Sequence, residues 1–570
     1  MLLLYVVVFV LSTFDVKALE YPVVQVDQGA LQGVEDQTTL GKKIYKFVGV
    51  PYAKPPVGKN RFEEPKPAEK WQGIYPATQH SSVCLQHMLN YDSPDLITGE
   101  EDCLYLNIYT PALSNSSNLP VVVYFHGGAF MFGTGHIFTP HFILDRFDFV
   151  YVSVNYRLGP FGFLSTEDEI VPGNNGLKDQ VLALKWLNQN IAAFGGNKDD
   201  VTLSGLSAGG ASVHLHYLSP QTAGLFQRGI SMSGCALNPW VLAEKSAEKA
   251  KQLASSVGCP IDTSEQMINC LKRKPGRNIL EQLKSLFWPW ETLPFSPFGV
   301  VVETSGKNPY LSEHPLKLIS EGKVADLPWL TSVTKDEGLY PAAMFIDREE
   351  LLSELNDNWN QIVPHILDYN FTIPSDDMNS VSEKIRQFYF KGDHVSIQNR
   401  NKLITLIGDR LFKVDMERAS RLQAKENQSP VYFYEFAYQG KYSFSMYFTK
   451  FNETYGVSHC DDLLYILNFP MLTPLEVLED KEVMLKMTEI WATFIQSGKP
   501  SVGKDVVWEP VLGNSENFKY LLINSSKDIR RQSASEFGNR GFWDMIKFDE
   551  LEHSAEIMRL KVNCSVSNYL

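Results

Sequence analysis

The alternation of short apolar runs with longer amphipathic stretches sets the tightest limit on how this chain can fold. Runs rich in valine, leucine and aromatic residues stand at Val121–Phe125, Val150–Val154, Val201–Ser204 and Trp329–Val333, with Val431–Tyr438 and Tyr520–Ile523 further on. Each has the length of a buried strand and has turn residues close by. Helical patterns lie between them. Leu177–Phe194 places Leu182, Leu184, Trp186, Leu187 and Ile191 on one face. Val241–Val257 is rich in alanine, glutamate and lysine, and Val483–Ser497 ends just before Gly498. Strands alternating with helices predict an α/β fold around a large, mostly parallel sheet flanked by helices. Sites in such sheets form beyond the carboxyl ends of the strands, so functional residues are expected directly after strands.

The chain shows no internal repeat, no low-complexity tract and no long linker, which predicts one folded unit over residues 19–570. The opening run Met1–Ser12 is apolar but short for a bilayer span, and Val16-Lys17-Ala18 follows it. Residues 1–18 read as a secretory signal. No later stretch suits a span, and the C-terminus carries neither a lipid-anchor tail nor a retention signal. The expectation is a soluble, secreted, extracellular protein without a stable membrane anchor. Glycosylation sequons at Asn115, Asn370, Asn427, Asn452, Asn524 and Asn563 fit export, although Pro430 follows the one at Asn427. The net charge of −14 argues against nucleic acid and anionic membranes as partners. Seven cysteines are present, but no cysteine or histidine cluster has metal-ligand spacing. No metal or organic cofactor is expected, and oligomeric state is not legible.

Gly205-Leu206-Ser207-Ala208-Gly209 meets the strand-end expectation. It follows the strand Val201–Ser204 and precedes a helical pattern from Ala208 to Tyr217. A serine on such a tight turn has its hydroxyl projected outward, and small neighbours relieve crowding. The pentapeptide alone is a weak signal; its strand–turn–helix setting strengthens it. A second glycine-rich turn, His126-Gly127-Gly128-Ala129-Phe130, directly follows Val121–Phe125. Backbone amides that converge on one point suit a developing oxyanion. The amides of Gly128, Ala129 and Ala208 are the candidate donors.

A serine nucleophile needs a base, and the base needs an orienting carboxylate. Beyond the adjacent helix, the histidines after Ser207 are His314, His365, His394, His459 and His553. His214 and His216 lie on that helix and read as packed or surface groups. His459, in Tyr455-Gly-Val-Ser-His-Cys-Asp-Asp462, sits in a run of small residues suited to a loop. Asp336 and Glu337, in Thr334-Lys-Asp-Glu-Gly338, follow the strand Trp329–Val333. The residues alone do not choose between these two carboxylates.

Taken together, these motifs resemble the type-B carboxylesterase/cholinesterase family of α/β-hydrolases. The resemblance runs through nearly all of the chain after the signal. It rests on Phe47-Val-Gly-Val-Pro-Tyr-Ala53, Arg61-Phe62, Glu101-Asp-Cys-Leu-Tyr-Leu-Asn107, Asn155-Tyr-Arg-Leu-Gly159, Gly176-Leu-Lys-Asp-Gln180 and Phe194-Gly-Gly196, besides the serine segment. The α/β-hydrolase fold is implied. So are Ser207, Glu337 and His459 as a catalytic triad, and disulfides Cys84–Cys103 and Cys259–Cys270. A third family disulfide has no clear place here; Cys564 is a loose candidate. Ala129 stands where the family often has glycine, which leaves the amide donor intact. The implied activity is hydrolysis of small carboxylic esters through an acyl-enzyme.

Departures narrow the branch. Cholinesterases carry a tryptophan between the first cysteine pair, facing the quaternary ammonium. The stretch Leu85–Asp102 has none, Tyr91 being its only aromatic residue. Leu206 replaces the glutamate usual before the serine in cholinesterases. The sequence is most similar to secreted insect carboxylesterases that act on xenobiotic, odorant or hormone esters. A slow, sequestering esterase and a non-enzymatic adhesion protein are the alternatives. Phe287–Phe298 is strongly aromatic and reads mainly as core packing.

Overall fold

The computed structural model describes residues 21–88, 96–287, 290, 296–449, 454–474, 476–503 and 506–548. The expected signal at 1–18, Tyr91, the sequons at Asn452 and Asn563, His553 and Cys564 lie outside them. Most of the core is built on an eleven-stranded sheet. Its strands are β1 (Val34–Gln37), β2 (Lys43–Pro51), β3 (Tyr105–Thr110), β4 (Leu119–Phe125), β5 (Val150–Val154), β6 (Gly196–Leu206), β7 (Arg228–Met232), β8 (Trp329–Thr334), β9 (Val431–Phe436), β10 (Phe518–Ile523) and β11 (Ile529–Ala534). The spatial order is β11-β10-β9-β8-β7-β6-β4-β5-β3-β2-β1. From β10 through to β5 every neighbouring pair is parallel, whereas the flanking pairs are antiparallel.

Five of the six apolar runs lie wholly within strands, because most of their residues are buried on both faces. Leu203, Ile230, Leu330 and Phe433 are fully buried in the middle of the sheet. Helices cover both faces, as a buried parallel sheet requires. The helix Ala208–Leu218 packs on β6 and β7, and Leu478–Ser497 belongs to a separate buried cluster with Trp491 and Phe494 inside it. One helix is shorter than its pattern predicts. Val241–Val257 is helical only over Ser246–Ser256. The segment before it is drawn into long-range pairing, Val300 N–H donating to Val241 O at 2.9 Å and Ala243 N–H to Val300 O at 2.8 Å. A backbone partner far along the chain overrides local helix propensity there. The strand Val431–Tyr438 likewise stops at Phe436.

Distant motifs meet as buried ion pairs. Arg157 grips Asp179 at 2.7 Å, both almost wholly buried, and Arg61 Nε donates to Glu101 at 2.6 Å. Such bidentate pairs fix register between segments, and removing one partner costs about 3–5 kcal/mol. Cys84–Cys103 and Cys259–Cys270 are bonded, while Cys235 and Cys460 are free thiols. No described helix is long and apolar enough to cross a membrane. Asn115 and Asn524 are exposed; Asn370 and Asn427 are half-buried.

Candidate active site

β6, β7 and β8 run parallel in close register, Leu206 opposite Met232 and Met232 opposite Ser332. Their carboxyl ends therefore open on one edge of the sheet. Ser207 sits at that edge, between β6 and the helix Ala208–Leu218, with φ 58° and ψ −123°. This is a strained backbone for a serine. It is held by the Ser207 N–H, which donates to Met232 O at 2.8 Å, and by Ser207 O, which accepts from Ala211 N–H at 2.9 Å. The flanking glycines are needed for close approach. A Cβ on Gly209 would lie 2.0 Å from Phe125 O, and one on Gly205 would lie 2.3 Å from the Gly209 carbonyl.

The turn after β4 lies against this serine, since a Cβ on Gly127 would stand 3.0 Å from Ser207 Cβ. Its peptide planes are fixed from behind. Gly127 O accepts from His126 Nδ1 at 2.8 Å, and Gly128 O accepts from the N–H groups of Met131 and Phe132 at 2.8 and 3.0 Å. In a trans peptide N–H opposes C=O, so the amides of Gly128 and Ala129 face the other way. Ala208 N–H opens a helix, where amides have no intrahelical acceptor. Among the described residues, these three amides meet no acceptor. Burial lowers the His126 pKa to about 4, so its ring is neutral and donates through Nδ1. That ring stacks on Tyr156 at 4.4 Å, and the Tyr156 hydroxyl also donates to His126 O at 2.7 Å.

Glu337 and His459 meet: Nδ1 of the fully buried histidine lies 2.6 Å from Glu337 Oε2. The other carboxylate oxygen accepts from Ser233 Oγ at 2.5 Å and from Thr334 N–H at 2.7 Å. With Nδ1–H held by a carboxylate, the lone pair stands on Nε2. Nε2 is buried and has no hydrogen-bond partner among the described residues, Ser207 included. Catalytic hydrogen bonds often close only with substrate in place. Tyr340 stacks on the imidazole at 5.5 Å, and Phe412 covers it at 4.5 Å. Phe412 lies in a π-turn, Asp409–Lys413, whose carbonyls at Leu411 and Phe412 accept from Asn238 Nδ2 at 3.0 and 3.2 Å.

The two adjacent carboxylates, open alternatives in the sequence, have separate tasks. Asp336 holds the backbone of the histidine loop, accepting Val457 N–H at 2.9 Å, and a Cβ on Gly456 would lie 2.5 Å from its carboxylate. Glu337 reaches the ring. Behind them Asp462 accepts from Tyr434 OH at 2.9 Å and Ser332 Oγ at 3.1 Å, and burial raises its pKa to about 6. Of the two alternatives for His214 and His216, packed or surface, both are packed, bonded to Gln423 and Gln180 at 2.9 Å each. His314 caps a helix and His394 is exposed. Sequence reasoning did not find Ser233, nor Ser296, whose hydroxyl donates to Ala129 O at 2.7 Å, nor Gln86, which brackets Gly133 by bonds of 2.7 and 3.1 Å. An isolated serine or glutamine carries no sequence signal of such a contact. In the aromatic segment, Phe287 packs on Phe298 and Trp290 on Phe345.

Comparison with known proteins agrees with this frame. The carboxylesterase family profile matches residues 20–541. Venom carboxylesterase-6 of Apis mellifera is 41% identical over 93% of this chain and 95% of its own length. Esterase FE4 of Myzus persicae is 42% identical over 95% and 96%. The crystal structure of a juvenile hormone esterase from Manduca sexta, with OTFP covalently attached, superimposes with a TM-score of 0.81 at 28% identity, covering 92% of this chain and 99% of that one. The fold is thus that of an α/β-hydrolase, and the chain belongs to the carboxylesterase family, a family of carboxylic-ester hydrolases.

Proposed function

We propose that this protein is a secreted esterase that cleaves small carboxylic esters through an acyl-enzyme on Ser207, with His459 as base and Glu337 as its orienting acid. The observation that carries this reading is the buried His459–Glu337 pair at 2.6 Å, its Nε2 unpartnered, joined through Ser233 to Gly234, which packs against Ser207 on its strained strand-to-helix turn. In the first stage His459 Nε2 takes the Ser207 proton while Oγ bonds to the ester carbonyl carbon. The carbonyl π electrons move onto oxygen, which the amides of Gly128, Ala129 and Ala208 receive. Collapse breaks the bond to the alcohol oxygen, and the imidazolium protonates it. Water then repeats the sequence and frees the acid and Ser207. A covalent ligand in the Manduca sexta relative supports a covalent route.

The substrate class is the uncharged ester, of xenobiotic, odorant or hormone type, rather than the choline ester. A leader at residues 1–18, two disulfides and a venom carboxylesterase among the relatives support export. Residues 19–570 form one α/β-hydrolase unit on this reading. The test is hydrolysis of 4-nitrophenyl acetate by purified protein and by Ser207→Ala. Turnover is expected in the first and background in the second; equal rates would overturn the assignment. A panel of aliphatic, aromatic and choline esters then checks the substrate class, with choline esters expected to be the poorest.

A further inference from the structure

Outside the groups assigned to catalysis, two histidines from separate segments share a patch of surface. His80 precedes the first disulfide, and His136 follows the turn that carries Gly128 and Ala129. Their ring centroids are 4.9 Å apart, with planes inclined by 35°. His80 is exposed and His136 half-buried.

The bonds around them determine which nitrogen each ring offers. His80 Nδ1 lies 3.1 Å from Asn107 Oδ1. That atom is an acceptor, because it also takes Gly49 N–H at 3.1 Å while Asn107 Nδ2 donates to Ser153 Oγ at 3.2 Å. His80 must therefore donate from Nδ1. His136 Nδ1 lies 2.8 Å from Thr134 Oγ1. That hydroxyl spends its proton on Asn155 Oδ1 at 3.3 Å, an acceptor that also takes Gly135 N–H at 2.8 Å. Thr134 can then only accept from the ring, so His136 also donates from Nδ1. Both rings are left with a lone pair on Nε2, and no described residue bonds to either.

A ring nitrogen freed by an oxygen acceptor behind its partner is the arrangement of metal-bound histidine, because it fixes tautomer and orientation together. Partial loss of water around each ring lowers both pKa values, that of His136 to about 4, so both rings are neutral at pH 7. Two imidazoles that share one tetrahedral ion through Nε2, at about 2.0 Å each, stand roughly 5 Å apart between centroids. The observed spacing fits.

We propose that His80 and His136 bind one divalent transition-metal ion through their Nε2 atoms. Imidazole suits zinc, copper and nickel and not calcium or magnesium. The described residues hold no group of three or more candidate ligands, so water completes the shell and the ion exchanges readily. The two positions are far apart in sequence, which is why no ligand spacing betrays them.

Calorimetric titration of the untagged, chelator-stripped protein with zinc chloride tests this without any ester. One zinc per chain is expected to bind in the parent protein, and zinc is expected to raise its melting temperature. Both effects should vanish in His80→Ala and His136→Ala and persist in His394→Ala, which alters an exposed histidine elsewhere. His80→Gln, which keeps a polar side chain, serves if an alanine variant folds poorly. Undiminished zinc binding in the two site variants, or none in the parent, would overturn the site. Either result leaves the esterase reading untouched, since no ester is turned over in the experiment.

Discussion

The turn that presents Ser207 and the loop that presents His459 reach the same edge of the sheet by different means. The turn is made by main chain. Ser207 is held by backbone hydrogen bonds on both its N–H and its C=O, and Gly205 and Gly209 sit where any Cβ would meet a carbonyl within 2.3 Å. The loop has one main-chain bond to the strand end, Asp336 N–H donating to Val457 O at 2.9 Å, and is otherwise tied down by side chains. Asp336 ties down Val457, Asp461 takes the N–H of Ser458 at 2.8 Å, and Glu337 catches the ring. Main-chain construction is intolerant of added atoms but indifferent to charge. Side-chain construction tolerates isosteres in shape and fails in chemistry. The two halves of the site should therefore break differently.

The largest expected effect is on the side-chain half. Glu337→Gln keeps the volume but loses the charge that fixes the His459 tautomer, and kcat should fall about 10⁴-fold with little change in melting temperature. A comparable loss in melting temperature would place Glu337 in the scaffold instead. Gly209→Ala should do the reverse. Its new Cβ meets Phe125 O at 2.0 Å, so urea denaturation should reveal a loss of about 3 kcal/mol, with activity falling in step with the folded fraction. Ser233→Ala removes one donor from the Glu337 carboxylate, a charge-assisted bond of about 1.5–3 kcal/mol. Its kcat should drop roughly ten- to a hundredfold, and a shift in the acidic limb of the pH–kcat profile would separate this role from simple packing.

The last effect is on the pH dependence of folding and is spread over about two pH units. Asp462 holds its proton up to about pH 6 when folded, against 3.8 for the ordinary side chain. Between these values the folded state binds the proton that the unfolded state has released, so this group's contribution to stability declines as pH rises from about 4 to about 6. Asp462→Asn should flatten that part of the curve in denaturant titrations across the window. A slope unchanged by the substitution would assign it elsewhere.

The same contrast explains what was legible in the sequence. Main-chain construction leaves signatures: glycines at 205, 209, 127 and 128 cluster beside strands whose apolar runs mark their own ends. The central sheet strands and Ser207 could be placed from such local patterns. Side-chain construction leaves few. Nothing local distinguishes Asp336 from Glu337, because the distinction is made by Val457 and His459, more than a hundred residues on. Resemblance to a family, not residue chemistry, singled out Glu337 and His459. Ser233, Ser296 and Gln86 escaped notice for the same reason, and the helix expected from Val241 lost its first turn to a partner near Val300.

The central claim is that one serine carries the acyl group. The most direct measurement is mass spectrometry of the protein after inactivation by an organophosphate ester. One phosphoryl group per chain, located on the peptide that contains Ser207 and formed in step with loss of 4-nitrophenyl acetate hydrolysis, is the predicted result. A label on another residue, or full turnover after stoichiometric labelling of Ser207, would contradict it.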